Sequence, residues 1–129
     1  MKKIFIIDDD EMYQMVLSKI VKKINPEIVV ETFWNGEKAL EYFKDNQNIP
    51  LPKLLLLDIN MPIMDGWQFI SEFERMYPNL KALSNIYMFS SSLEERERTK
   101  ALSYKSVKDY LLKPVSLNTM RELIADNIM

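Results

Sequence analysis

The chain has no cysteine and no histidine among its 129 residues. The first absence removes disulfides, thiolate metal sites and cysteine nucleophiles. The second removes imidazole bases and histidine zinc ligands, so the chemistry left is that of carboxylates, hydroxyls and amines. There is no basic field either. Lysine and arginine total 17 against 19 aspartates and glutamates, interspersed to a net charge of −2, which leaves no electrostatic footprint for direct contact with nucleic acid. No long apolar run opens the chain. Met1-Lys2-Lys3 leads into four apolar residues and then three aspartates, too short for a signal peptide or a membrane span. No membrane partner and a cytoplasmic location are the expectation. No internal repeat, low-complexity tract or flexible linker divides the sequence, and its length suits a single domain, 1–129, with no output domain.

What is present is organised around Leu54-Leu55-Leu56-Leu57-Asp58-Ile59-Asn60-Met61-Pro62-Ile63-Met64-Asp65-Gly66. Four consecutive leucines cannot show one face to water, so they predict a strand buried on both sides, as in a parallel sheet. Pro62 cannot continue a ladder and Asp65-Gly66 is turn chemistry. Asp58 is therefore expected on the rim, at the strand's carboxyl end, where open α/β sheets place their chemistry.

The rest of the chain alternates short apolar runs with amphipathic ones. Ile4 to Ile7 predicts a first strand, ended by Asp8-Asp9-Asp10. Glu11 to Ile24, with apolar residues at Met12, Met15, Val16, Ile20 and Ile24, predicts a helix with one buried face. Ile28 to Phe33 predicts strand two, and Asn35-Gly36 turns into a helix from about Glu37 to Phe43. A helix from about Trp67 to Met76 follows the leucine strand. Ile86 to Phe89 predicts strand four, after which Ser92 and Glu95 suggest a capping box for a charged helix to about Tyr104. Val107 to Leu112 predicts strand five, and Ser116 is placed to cap a last helix to about Asn127.

Five strands alternating with five helices are the pattern of a (βα)5 doubly wound parallel sheet, with helices on both faces and the flavodoxin-like order 2-1-3-4-5. Right-handed crossovers put every strand's carboxyl end on one edge. Asp8, Asp9, Asp10, Asp58, Ser90 and Lys113 then converge, with the acids after strands one and three within about 5 Å, one strand spacing. A like-charge pair at that distance costs about 3 kcal/mol at an effective dielectric near 20, and a hard divalent cation removes the conflict. Oxygen-only ligands suit Mg²⁺ or Mn²⁺. An aspartate between such an ion and Lys113, with a hydroxyl near, has the makings of a phosphoryl acceptor. Singly, each residue has a plainer reading. The aspartate run suits a helix N-terminus, Asp58 a strand-end cap, Ser90 a loop hydroxyl, Lys113 a solvated surface, Tyr110 a core position, and Met61, Met64, Trp67 and Phe69 simple packing.

At Ile6-Ile7-Asp8-Asp9-Asp10, Leu57 to Gly66, Phe89-Ser90-Ser91 and Tyr110-Leu111-Leu112-Lys113-Pro114 the chain resembles a response-regulator receiver domain of two-component signalling, of the stand-alone chemotaxis-receiver kind, over essentially its whole length. The resemblance implies that Asp58 is the phosphorylated residue, and that Asp8 and Asp9 hold Mg²⁺ with Asp58 and the backbone carbonyl of Asn60. It implies that Ser90 and Lys113 attend the phosphoryl group and that Tyr110 is an aromatic switch. It implies a donor phosphohistidine on a sensor histidine kinase or phosphotransfer protein, and no catalysis beyond the chain's own phosphorylation and dephosphorylation. Output would pass through the face of the fourth helix, fifth strand and fifth helix, with Glu94, Glu95, Arg96, Glu97 and Arg98 setting specificity for a downstream protein, a phosphorylation-dependent homodimer or an onward phosphorelay. Two departures stand out: Ser106-Val107 where receivers often have Gly-Ala, and Ser90 where Thr is commoner. The resemblance also raises the expectation of a cis Lys113-Pro114 bond above the X-Pro base rate, without deciding it. The rivals are a phosphohydrolase of the haloacid-dehalogenase type, which wants an acid where Asn60 stands, and a receiver-like module that never takes phosphate. A flavin carrier is disfavoured by three aspartates that would repel the flavin's phosphate.

Overall fold

Four adjacent leucines stay dry only where both sides of their strand are covered, and the computed structural model, which describes residues 2–92 and 94–128, has that arrangement. Leu54–Asp58 forms β3, the centre of a five-stranded parallel sheet in the order β2-β1-β3-β4-β5. Its partners are β1 (Lys3–Ile7), β2 (Val29–Phe33), β4 (Asn85–Ser90) and β5 (Val107–Leu112). Among the described residues the helices are α1 (Glu11–Ile24), α2 (Gly36–Asp45), α3 (Gly66–Met76), α4 (Leu80–Leu83), α5 (Glu95–Leu102) and α6 (Leu117–Asn127). None of them is long and apolar enough to cross a membrane.

The pleat divides the core in two. Phe5, Ile7, Leu55, Leu57, Ile86 and Met88 meet Leu40 and Phe43 of α2 and Phe69, Ile70 and Phe73 of α3. On the other face Ile4, Ile6, Leu54, Leu56, Tyr87 and Phe89 meet Leu17 and Val21 of α1 and Met120, Leu123 and Ile124 of α6. Each buried leucine of β3 contributes about 2 kcal/mol relative to exposure, so slipping β3 off this register is costly and Asp58 is held at its end.

Helix caps fix the loops on the same edge. Asn35 Oδ1 accepts the Lys38 amide at 2.9 Å. Asp65 Oδ1 accepts the Gln68 amide at 2.9 Å while Gln68 Oε1 accepts the Asp65 amide at 3.0 Å, a reciprocal capping box. Ser116 Oγ accepts the Thr119 amide at 3.1 Å, as its sequence position predicts.

Three expectations are corrected. The buried stripe of α1 is Gln14, Leu17 and Val21, while Met12, Met15 and Val16 are exposed, because Gln14 donates its amide to Asp8 O at 2.6 Å and Phe33 O at 2.8 Å and so sets the helix's rotation. Ser92 is not a cap: α5 begins at Glu95 behind Glu94 and ends at Leu102, short of Tyr104. The Ser92 amide is turned to Ser90 Oγ instead, and Leu93, which the predicted helix would include, lies outside the described residues. Among the described residues the helix count rises from five to six because Leu80–Leu83 makes one turn after Pro78, too short to carry a periodic signal.

Candidate functional site

The register of the sheet decides which acids meet. Ile7 lies beside Leu57, so Asp8 and Asp58 leave neighbouring strands together at the carboxyl edge. Asp8 is buried, Asp9 is exposed, and Asp58 is only 5% exposed. Carboxylate oxygens of Asp8, Asp9 and Asp58 all lie within 4.8 Å of one another. Asp10 is the member that turns away: its Oδ1 caps α1 by accepting the Tyr13 amide at 3.1 Å, the role that the helix N-terminus favours for an acid.

Lys113 arrives from the far side. Leu112 pairs with Ser90, and the Lys113 amide donates to Ser90 O at 2.8 Å, which fixes where the side chain departs. Its Nζ then reaches Asp8 Oδ2 at 2.6 Å and Asp58 Oδ1 at 3.2 Å. The following Lys113-Pro114 peptide bond is cis.

The electrostatics follow from this crowding. Burial, then the neighbouring Asp8 charge, pushes Asp58 up to about 7, against the pull of Lys113. Burial likewise raises Asp8, partly countered by its hydrogen bond from Lys113. For Lys113, burial acts downward, but the hydrogen bond to Asp8 and the Asp58 charge outweigh it and the net shift is upward. Two buried acids and one ammonium leave a surplus of negative charge at the rim. Three all-oxygen donors clustered so closely fit a hard divalent cation such as Mg²⁺ or Mn²⁺, which is the charge the cluster lacks.

The remaining predicted positions fall as follows. Ser90 is wholly buried, its Oγ accepting the Ser92 amide at 3.1 Å. Asn60 lies exposed in the loop just past Ile59. That loop makes a tight turn in which the Met64 amide donates to Pro62 O at 2.7 Å across Ile63, whose φ of 68° is the sole positive value among described non-glycine residues. Tyr110 is buried, with its hydroxyl against Glu97 Oε1 at 2.6 Å and the Ser92 carbonyl. Burial and the Glu97 contact hold that hydroxyl above its ordinary range, while Ser90 pulls the other way. Of the predicted surface charges, Glu97 is half-buried on Tyr110 and Arg98 Nη2 lies 3.5 Å from Asp109 Oδ1. The Ser106 departure resolves into a clamp: its amide and hydroxyl donate to Glu74 Oε2 at 3.0 and 2.7 Å.

Two residues beside the site carry no label in the sequence. Gln14 braces the loop after β1 against the end of β2, and a lone amide inside an apolar helical stripe was its signal. Tyr13 lies with its ring centroid 4.9 Å from Lys113 Nζ and its hydroxyl accepting the Val115 amide at 3.2 Å. No spacing rule would have found it, since its two partners are a hundred residues away in sequence.

The chain is similar to known proteins over most of its length. A family model described as response regulator receiver domain matches residues 4–125. Among curated proteins, the chemotaxis protein CheY of Bacillus subtilis is 30% identical over 122 residues, covering 95% of this chain and 93% of that one. The probable C4-dicarboxylate response regulator DctR of the same organism is 28% identical over 122 residues, covering 95% of this chain and 50% of its own length, so the chain spans about half of that relative. Among solved structures, a two-component response regulator from Cytophaga hutchinsonii superposes with a TM-score of 0.89 at 25% identity, over 98% of this chain and 96% of that one.

Proposed function

Because the chain belongs to the response regulator receiver domain family, we propose that it is a phosphoryl-accepting switch in which Asp58 is the acceptor. Receiver domains bind Mg²⁺ at an acidic pocket and interact with histidine kinases or phosphotransfer proteins, and both roles are assigned to this chain on that basis. The observation that carries the reading is the convergence of Asp8, Asp9, Asp58 and Lys113 from three separate strand ends onto one point of the sheet edge.

A carboxylate oxygen of Asp58 attacks the phosphorus of a phosphohistidine. The new O–P bond forms as the P–N bond breaks, and the electron pair leaves with the imidazole, which takes up a proton. Asp8, Asp9 and Asp58, with the Asn60 carbonyl, would hold a divalent cation, and it would supply positive charge beside the phosphoryl oxygens. Lys113, already 3.2 Å from Asp58 Oδ1, neutralises the charge that the acceptor gains. Ser90, at the end of β4, turns its hydroxyl to the phosphoryl group. Tyr110, two residue pairs away on β5 and in reach of Ser90, passes that movement to the face of α5, β5 and α6. That face is the proposed contact for a downstream protein or a second copy, and the proposed location is the cytoplasm. Asn60 argues against a phosphohydrolase of the haloacid-dehalogenase type, because an amide cannot serve as its proton donor.

The test is incubation with Mg²⁺ and either a small phosphodonor or beryllofluoride, read by intact mass and by NMR. One phosphoryl group on wild type and none on Asp58→Asn is the expected result. Turnover of a small phosphate ester, or labelling that persists in Asp58→Asn, overturns the reading.

A further inference from the structure

We propose that Tyr13 is a positioning residue for phosphoryl transfer to Asp58: its ring is the wall that holds the Lys113 ammonium between the two buried acids. This rests on Asp58 being the acceptor. Lysine is a point charge on a flexible four-carbon stem, and ordering it costs rotamer entropy. Here it crosses from β5 to β3, and its Nζ has two oxygen contacts, at 2.6 and 3.2 Å, both toward the acids. The Tyr13 ring, centred 4.9 Å from Nζ, adds a further contact with the electron-rich face that attracts a cation.

The ring is itself fixed. It packs edge-on to Phe89 at 6.4 Å and 81°. Its hydroxyl accepts the Val115 amide at 3.2 Å, two residues past Lys113. Its backbone amide is the one that Asp10 caps, at 3.1 Å. The aspartate run thus divides its work: Asp8 and Asp9 face the rim, and Asp10 fixes the turn of helix that aims Tyr13 at Lys113.

Tyr13→Phe keeps the ring and loses the hydroxyl; Tyr13→Leu loses both. The rate constant for Asp58 phosphorylation is measured at saturating Mg²⁺ and saturating acetyl phosphate by intact mass, alongside Mg²⁺ affinity and the Lys113 Hε resonances. Tyr13→Leu is expected to slow the rate constant by about threefold to thirtyfold, the span of a cation–π contact between exposed and desolvated settings, with Mg²⁺ affinity kept within twofold. Tyr13→Phe is expected to stay within about twofold of wild type. The Lys113 Hε signals should lie upfield, in the ring current, in wild type and Tyr13→Phe, and return to ordinary lysine positions in Tyr13→Leu. If Tyr13→Leu does not fold, Tyr13→Met replaces it under the same criteria. An unchanged rate in the ringless variant, equal slowing in both variants, or Lys113 signals indifferent to the ring overturns the proposal. Wild type that takes no phosphoryl group at all overturns the acceptor reading with it, whereas labelled wild type with an indifferent Tyr13→Leu overturns only the role of Tyr13.

Discussion

Replacing the acceptor by its neutral isostere, Asp58→Asn, should make the protein more stable above neutral pH when divalent cations are chelated. Asp58 is buried beside Asp8, and its pKa is pushed from 3.8 to about 7. A group whose folded pKa is raised gives stability that is fully present below the unfolded value and is lost as pH rises through the folded value. The window is therefore about pH 4 to 7. Across it the ionised carboxylate costs the fold about 4 kcal/mol as a ceiling, three units at about 1.4 kcal/mol each. Asparagine escapes that cost, but it also gives up the 3.2 Å contact with Lys113, which keeps Asp8 at 2.6 Å. A net gain of about 1–3 kcal/mol at pH 8 is expected. Urea unfolding of both proteins in EDTA at pH 4 and pH 8 measures it. The gap should open with rising pH, and saturating Mg²⁺, which favours the ionised acid, should narrow it. An Asp58→Asn protein less stable than wild type at pH 8 in EDTA, or a gap of the same size at both pH values, refutes the electrostatic account.

Removing the ammonium should do the opposite. Lys113→Met leaves Asp8 and Asp58 facing each other and should cost about 3 kcal/mol at pH 8 and clearly less at pH 5, where the acids can take protons, again by urea unfolding. Gly66→Ala should cost about 3 kcal/mol and lower the phosphorylation rate, because the added Cβ would sit 2.5 Å from the Asp58 carbonyl and 2.9 Å from the Ile59 Cα, both main-chain atoms that cannot step aside. Thermal unfolding and the mass assay check the two effects. Tyr110→Phe should cost about 1–2 kcal/mol by losing the hydroxyl shared by Glu97 and Ser92. Glu97→Gln should add little on top of it, and a double-mutant cycle reads that coupling.

Much of the sheet edge was legible because a parallel strand buried on both faces writes itself as an unbroken apolar run. Leu54 to Leu57 has no other home, and once the strand order follows, the residues after each strand must share a rim. Lys113 was placeable for the same reason, since topology sets its distance from Asp58 before any side chain is built. Features set by a single local competition were not legible. Ser92 and Glu95 have the spacing of a capping box, yet the Ser92 amide bonds to the Ser90 hydroxyl and the loop never makes that cap. Ser106 stands where receivers often have glycine, yet the turn before β5 adopts no positive φ there, and Glu74 on α3 takes both of its donors.

The misjudged face of α1 exposes the physical limit of periodicity. Along a helix that turns about 100° per residue, the segment holds two apolar stripes on opposite sides: Met12, Met15 and Val16 on one, and Tyr13, Leu17, Ile20, Val21 and Ile24 on the other. Counting apolar letters cannot choose between them. A buried carbonyl without a donor costs about 1–3 kcal/mol, and the end of β1 presents one at Asp8, whereas Phe33 O at the end of β2 also accepts the Asp8 amide at 3.0 Å. Gln14 lies on the second stripe and answers both with one amide group. Turning α1 to bury the methionines would leave the Asp8 carbonyl without its Gln14 donor and would swing the Tyr13 ring away from Lys113. A polar residue on an apolar stripe was the deciding term, and the same rotation that satisfies it aims an aromatic ring at the ammonium of the site.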